Sequence, residues 1–411
     1  SKNYGQSNLP VMIIGNGPSL DKSIDYIKEH QKNFVVVSCG SALRALIVND
    51  VMPDFHVELE RTASIPHWIK KSGQGIDGFF DKLKKITLIQ VSQVHPDVAG
   101  LFGNAGMVLK DIETGSSFVH KAFSGKGAAI LPRLAPTCVH SAITSMLVLG
   151  FKNLYLFGVD MGSIDPEKHH SRDSSYQYLK KERTEKFNFK KATEVYPSNF
   201  GDKEVFSTGL YPMFKRELES VVSGWKYTFQ NTVNVSNCSD GAKLEGIEAI
   251  EASSIPLVSE DECVNKSKII RDVFDSHFSL TISAEEKQLE SSLQEMKEAV
   301  SRACKYAEDL ITPISNVTDA FYVVDKFTTD FHSAHVLEDS FAWVYSIFDG
   351  SLLYLLSIIN STAMLPATEA EKVEVVNKQF DLLKQFFRMV DKDFSENCLE
   401  WDKESRYSLF E

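Results

Sequence analysis

Short apolar runs separated by amphipathic stretches set the pattern of the first two-thirds of the chain. Val11–Ile14 is an unbroken apolar run that stops at Gly15, and Leu20–Glu29 follows with Ile24 and Ile27 on one helical face. Phe34–Ser38, Asp54–Leu59, Ile86–Val91 and Asn153–Phe157 repeat the run, while Gly40–Asn49 and His140–Leu149 read as helices, the latter ended by Gly150. Strands that alternate with helices and are apolar throughout predict a parallel sheet covered on both faces. Tyr227–Asn231 and Val233–Val235 are read as closing strands. The fold expected is α/β: a Rossmann-like, mostly parallel sheet with helices on both faces, followed by an all-α helical bundle.

The rhythm changes after about residue 265. Ser283-Ala284-Glu285-Glu286 and Thr368-Glu369-Ala370-Glu371 have the form of capping boxes, in which hydroxyl and carboxylate satisfy the free amides of a helix start. Leu289, Leu293, Met296, Val300, Ala303, Ala307 and Leu310 recur at steps of three and four after the first. Val373, Val376, Phe380, Leu383, Phe387 and Val390 do so after the second. His335–Ile359 adds further apolar periodicity, with Thr312-Pro313 and Leu365-Pro366 as breaks. Two domains are therefore expected, 1–262 and 263–411, with a polar insert at about 162–209 that carries little strand signal and is long enough to be a functional lid.

Charge and composition narrow the partners. The formal net charge is −12, and the one basic cluster (Lys180, Lys181, Arg183, Lys186, Lys190, Lys191) is short, so no nucleic-acid partner is expected. No apolar run reaches membrane-spanning length, Ser1–Tyr4 does not resemble a signal peptide, and the chain does not begin with Met. The six cysteines are scattered with no C-x-x-C pair, which argues against a zinc site and fits reduced thiols in the cytoplasm.

Candidate chemistry collects at strand ends. Gly15-Asn16-Gly17-Pro18-Ser19-Leu20 joins a strand to a helix, and glycines there let the backbone approach a phosphate held at the helix N-terminus. It is neither G-x-G-x-x-G nor a P-loop, which disfavours a dehydrogenase or an ATPase. Ser38–Ala42 is a second such loop, and two side by side make a nucleotide crevice. Asp160 ends an apolar strand, where it can hold a sugar hydroxyl or orient a catalytic group. His169 and His170 follow as candidates for a general base. Glu58 and Glu60 alternate on one face of a strand, within reach of a sugar or of Mg²⁺. Arg172 and Tyr176, with Tyr178, Lys180 and Lys181, are candidates for phosphate or carboxylate binding.

The order of several blocks resembles the flagellin-modifying motility accessory factor (Maf) family, itself similar to bacterial sialyltransferases that use CMP-sialic acid. The blocks are Gly15–Leu20, Ser38–Leu43, Pro53–Phe55, Thr137-Cys138-Val139, Leu154–Asp160, His169-His170 with Tyr176, and Asn237–Gly246, which together span about residues 10–245. The resemblance implies a glycosyltransferase that moves a nonulosonic acid, of pseudaminic or legionaminic type, from CMP to Ser or Thr of flagellin with inversion, needed for flagellum assembly and motility. No cofactor beyond the CMP-activated donor is implied, apart from the Mg²⁺ considered above. Nucleotide contacts would fall on Gly15, Asn16, Gly17, Pro18, Ser19, Gly40, Ser41 and Thr137, and catalysis on His170 or His169 with Asp160. Glu58, Glu60, Arg172 and Tyr176 would hold substrate, and the helical region would help hold the acceptor. Longer relatives carry a further domain ahead of the glycine-rich loop. A related archaeal group that makes pterin pyrophosphates shares that loop and has an Asp-Leu-Asp metal motif where this chain reads Glu58-Leu59-Glu60. A pterin pyrophosphokinase using ATP and Mg²⁺, and a non-catalytic flagellin-binding module, are the alternatives.

Overall fold

The computed structural model describes residues 9–111, 113–122, 130–178, 192–258, 260–278, 286–337 and 344–398. They fall into two compact units, the first drawn from 9–110 and 131–278 and the second from 111–130 and 286–398.

The first unit is built on a nine-stranded sheet. Its strands are β1 (Val11–Ile14), β2 (Val35–Cys39), β3 (Phe55–Glu58), β4 (Thr87–Val91), β5 (Asn104–Lys110), β6 (Ile130–Leu131), β7 (Asn153–Phe157), β10 (Asn234–Asn237) and β11 (Glu248–Ala249). Their spatial order is β11-β10-β7-β1-β2-β3-β4-β5-β6. β8 (Glu194–Pro197) and β9 (Glu204–Ser207) form a separate antiparallel hairpin inside the insert where little strand signal was expected. β1 pairs in parallel with both β2 and β7, Val11 facing Val35 on one side and Leu154 on the other. The chain thus runs outward from β1 through β6 and returns to the opposite side at β7. That reversal is a topological switch point, which opens a crevice at the strand ends.

Burial on both faces explains the unbroken apolar run of β1. Val11 and Ile13 point to one core, with Val139, Ala142, Ile143 and Met146 of α6 (Cys138–Val148). Met12 and Ile14 point to the other, with Leu20, Ile24 and Ile27 of α1 (Leu20–His30) and Ala42, Ala45 and Leu46 of α2 (Ala42–Val48). Shorter helices α3 (Ile65–Ser72), α4 (Phe79–Leu83) and α7 (Ser175–Tyr178) lie in the connections, and α5 (Thr114–Ala122) belongs to the second unit.

Two sequence expectations give way here. Tyr227–Asn231 is not a strand: α8 (Tyr211–Thr228) runs into it and a turn follows, with Gln230 and Asn231 at positive φ. Leu218, Val221, Val222 and Trp225 form the buried stripe of that helix, and Tyr227 is 86% exposed, so helical packing overrides the β-propensity of Tyr-Thr-Phe. The boundary at 262 also falls inside an element, α9 (Glu260–His277), which stays with the first unit. Its Val273 and Phe274 are buried in the sheet core, and Lys266 pairs with Asp54 at 2.7 Å.

The second unit packs α10 (Glu286–Leu310), α11 (Val317–Leu337), α12 (Tyr345–Met364) and α13 (Glu369–Asn397) around one core. Phe327, Phe331, Phe348 and Phe387 meet at its centre with ring centroids 5.3 to 6.2 Å apart. The Thr368 capping box is formed with Glu371, while residues 283–285 of the other expected one lie outside the described residues and Glu286 is the first of α10. No described helix is long and apolar enough to cross a membrane.

Candidate functional site

A cleft of about 290 Å³ opens at the switch point. Its floor is the two loops that leave β1 and β7, which run against each other. The Gly15 amide donates to the Phe157 carbonyl and the Gly17 amide to the Gly158 carbonyl, both at 2.8 Å. The approach is too close for side chains. A Cβ at Gly17 would overlap the Asp160 carboxylate, and one at Gly158, whose φ is +61°, would lie 2.5 Å from the Gly15 carbonyl oxygen. Here the two glycines are required for contact between loops as much as for a ligand.

Asp160 is buried at the end of the β7 loop and accepts from Ser19 twice, from the amide at 2.7 Å and from the hydroxyl. Burial pushes its carboxyl up to about 6, against the opposing pull of the Ser19 hydrogen bonds. The next amides of α1 close on the loop itself: Leu20 donates to Gly17, Asp21 to Pro18 and Lys22 to Ser19. The helix start read as a phosphate cradle is therefore already occupied by the chain's own carboxylate and turn carbonyls. Met161, the next residue, sits at φ +50°, a left-handed conformation held at the cleft wall.

α6 starts beside the same cleft and is left open. Thr137, its N-cap, makes no hydrogen bond to the helix amides, and the Cys138, Val139 and His140 amides have no acceptor among the described residues. The loop before it is fixed from within α6, where the Ser141 hydroxyl donates to the Leu134 carbonyl and the Thr144 hydroxyl to the Arg133 carbonyl. The Asn16 side chain donates to Ser41 at 2.9 Å. Its Oδ1 is buried without a partner among the described residues, an acceptor waiting for a donor.

The histidines close one side. The Ser171 amide donates to the Asn16 carbonyl at 3.0 Å, and Asp21 accepts from the Ser171 hydroxyl and the Arg172 amide, which clamps this segment to the glycine loop. His169 and His170 are 4.7 Å apart by ring centroid, and His170 lies 4.3 Å from Tyr176, which in turn meets Trp68 at 5.3 Å. On the opposite side Glu58 is held by the Leu59 and Glu60 amides at 2.8 and 3.0 Å, with the Cys138 thiol at 3.6 Å. Burial raises the Glu58 carboxyl, but His56 and these amides outweigh it, and the net shift is downward. Glu60 is shifted upward by burial and by Glu58. No group of three or more His, Cys, Asp or Glu among the described residues is placed to hold a metal.

The cleft brings together Gly15, Asn16, Gly17, Gly40, Ser41, Glu58, Glu60, Thr137, Asp160, His169, His170 and Tyr176. Four expected site residues are absent from its wall. Pro18 and Ser19 lie behind the loop, beside a second pocket, the Arg172 side chain is 66% exposed and turned to Asp173, and the Tyr178 ring lies against the Arg44 guanidinium. Lys180 and Lys181 lie outside the described residues. Sequence reasoning missed Trp68, Tyr211 and Phe214, which reach the cleft from α3 and α8. A helical period in those stretches would have found the elements but not their direction.

The architecture is a Rossmann-like α/β unit with its cleft at the switch point, joined to a helical bundle. Across 97% of its length the chain shares the fold of a solved structure described as "Structure of MAf glycosyltransferase from Magnetospirillum magneticum AMB-1", with a TM-score of 0.66 and 21% identity. The chain spans 57% of that protein, and at this identity the likeness concerns the fold. Residues 1–166 match the profile of the MptE-like family, described as 6-hydroxymethylpterin diphosphokinase MptE-like. A 50-residue stretch is 32% identical to a protein of Treponema pallidum (strain Nichols) described as uncharacterized, over 12% of this chain and 24% of that one.

Proposed function

We propose that this protein is a glycosyltransferase whose cleft takes a nucleotide-activated sugar. One observation carries the reading, the fold shared with the Magnetospirillum Maf glycosyltransferase, and it is supported by this chain's own switch-point cleft, which is lined by the paired histidines and by Thr137 at an uncapped helix start. In its specific form the donor is a CMP-activated nonulosonic acid of pseudaminic or legionaminic type, the acceptor a Ser or Thr of flagellin, and the compartment the cytoplasm. The α6 amides and Asn16 hold the nucleotide, with the phosphate at α6. Glu58, Glu60 and Tyr176 face the sugar. The acceptor oxygen attacks the anomeric carbon, the bond to the phosphate oxygen breaks with its electron pair leaving on CMP, and His170 or His169 takes the acceptor proton. Asp160 holds the two loops in register. A Mg²⁺ beside Glu58 and Glu60 would offset the phosphate charge.

Calorimetric titration with CMP, CTP, ATP and UDP, with and without Mg²⁺, is the test. Selective binding of CMP, and flagellin transfer that is lost in a His169→Ala/His170→Ala protein still able to bind CMP, is the expected result. Undiminished transfer by that variant would remove the base assignment. The MptE-like match over 1–166 favours a second reading, a pterin pyrophosphokinase. Preference for ATP with Mg²⁺ and release of AMP on adding a hydroxymethylpterin would establish it instead. A tight flagellin complex without nucleotide affinity would point to a binding module.

A further inference from the structure

Within the apolar run of α6 is a histidine that packing alone does not explain. His140 is fully buried, one turn in from Thr137, and its Nδ1 lies 2.8 Å from the Thr137 hydroxyl oxygen. Burial holds its pKa down to about 4, with the Phe214 carbonyl the group that opposes the shift, so the ring is neutral at pH 7. A neutral imidazole has one protonated and one bare nitrogen. The nitrogen engaged with Thr137 is Nδ1, and Nε2 is the one turned away from it. Nε2 is buried and makes no hydrogen bond among the described residues. Nδ1 is the atom that the Thr137 hydroxyl meets, and with the ring proton on Nε2 it is bare and free to accept.

We propose that His140 is a positioning residue for the cleft. By accepting the Thr137 proton it turns that hydroxyl away from the α6 amides, so that Thr137 offers only oxygen lone pairs to the ligand. Thr137 then recognises a hydroxyl or amino donor on the nucleotide. This rests on the nucleotide reading above.

The test uses the full chain at pH 7 and the variants Thr137→Val, His140→Phe, their combination, and the conservative Thr137→Ser and His140→Asn. CMP is expected to bind about tenfold more weakly to each of the first two, as for loss of one hydrogen bond, and no more weakly still to the double variant. Thr137→Ser, and His140→Asn with its side-chain oxygen near the place of Nδ1, should keep most of the affinity. Thermal unfolding of each protein separates lost binding from lost fold, and if His140→Phe does not fold, the remaining variants carry the comparison. Titration with 2′-deoxy-CMP and UMP identifies the donor. Thr137→Val should erase the preference for CMP over 2′-deoxy-CMP if a ribose hydroxyl is read, or over UMP if the base amine is read. Wild-type affinity in Thr137→Val or His140→Phe, or losses that multiply in the double variant, would overturn the proposal while leaving the cleft a nucleotide site. If the wild-type protein binds no nucleotide, the functional reading falls and the ligand role of Thr137 with it. Imidazole ¹⁵N shifts should show the proton on Nε2, and a proton on Nδ1 would overturn the proposal, because His140 would then donate to Thr137.

Discussion

Helices α1 and α6 begin beside one cleft and end their first turns in opposite ways. At α1 the Ser19 amide is bonded to a buried carboxylate 141 residues away, and the three amides after it close onto turn carbonyls. At α6 the N-cap hydroxyl faces a histidine and the first three amides have no acceptor among the described residues. Both starts have the positive end of a helix dipole. The difference between them shows that a glycine-rich strand-to-helix loop can mark where two loops must meet, and it is the reason the proposed phosphate is assigned to the start the chain has left open. The comparison can be broken from either side.

The largest effect is expected on the α1 side. Gly158→Ala puts a Cβ against the Gly15 carbonyl at a residue held at φ +61°, and neither backbone can retreat without opening the β1–β7 contact. A loss of about 3 kcal/mol or more is expected, from left-handed strain plus steric overlap, measured by urea unfolding with loss of nucleotide binding. A loss below about 1 kcal/mol would show that the loops are not held in register as described.

Asp160→Asn tests the carboxylate that closes α1. Its folded pKa of about 6 lies above the ordinary value of 3.8, because burial penalises the charge. Its contribution is therefore most favourable in acid, where both states are protonated, and declines as pH rises through the folded pKa. The span is about 3 kcal/mol. Asparagine does not titrate, so the variant should gain on the wild type steadily from pH 4 to 7. Parallel stability profiles over that range would mean that Asp160 is not desolvated in the folded protein.

Much of the framework was legible before any coordinates, and the reason is physical. β1, β2 and β7 are buried on both faces, so their apolar runs are unbroken and their ends fall within a residue or so of the expected ones. β5 was missed because Asn104, Ala105 and Met107 are exposed and Gly106 lies under the Phe278 ring, which leaves no apolar run to see. In the site, the glycines and the adjacent histidines announce themselves by type and spacing. The pairing of Ser19 with Asp160 does not, because nothing local records a hydrogen bond between residues so far apart. For the same reason Ser19, read as a ligand contact, turns out to face a carboxylate, and His140 was absorbed into an apolar helix.

Thr137→Asp converts α6 into a copy of α1. A carboxylate at the N-cap can accept from the amides of the first turn and complements the dipole, so the helix should become no less stable. The same carboxylate occupies the amides assigned to the ligand phosphate and repels it. CMP affinity should fall on the order of a hundredfold, as for the loss of charge-assisted hydrogen bonds. Weakened binding with an unchanged or raised melting temperature would place the phosphate at α6. Unchanged affinity would move it elsewhere in the cleft.

The smallest effect is expected at a helix start that is fully closed and has no ligand to serve. Thr368 accepts from the Glu371 amide at 3.3 Å, and Glu371 accepts from the Thr368 amide at 2.9 Å and from its hydroxyl at 2.7 Å. Replacing a capping threonine by alanine costs ~1 kcal/mol, so Thr368→Ala should lower the melting temperature slightly and leave CMP affinity untouched. The Thr368 hydroxyl and amide hold the Glu371 carboxyl below the usual glutamate range. The stabilisation from that pair is present above the ordinary glutamate pKa and lost as pH falls, so the penalty of Thr368→Ala should shrink in acid. That is the opposite trend to the advantage of Asp160→Asn, which grows as pH rises because Asp160 is shifted upward. A penalty for Thr368→Ala that stayed constant down to pH 3 would show that the threonine caps α13 without help from the carboxylate, as an isolated N-cap does.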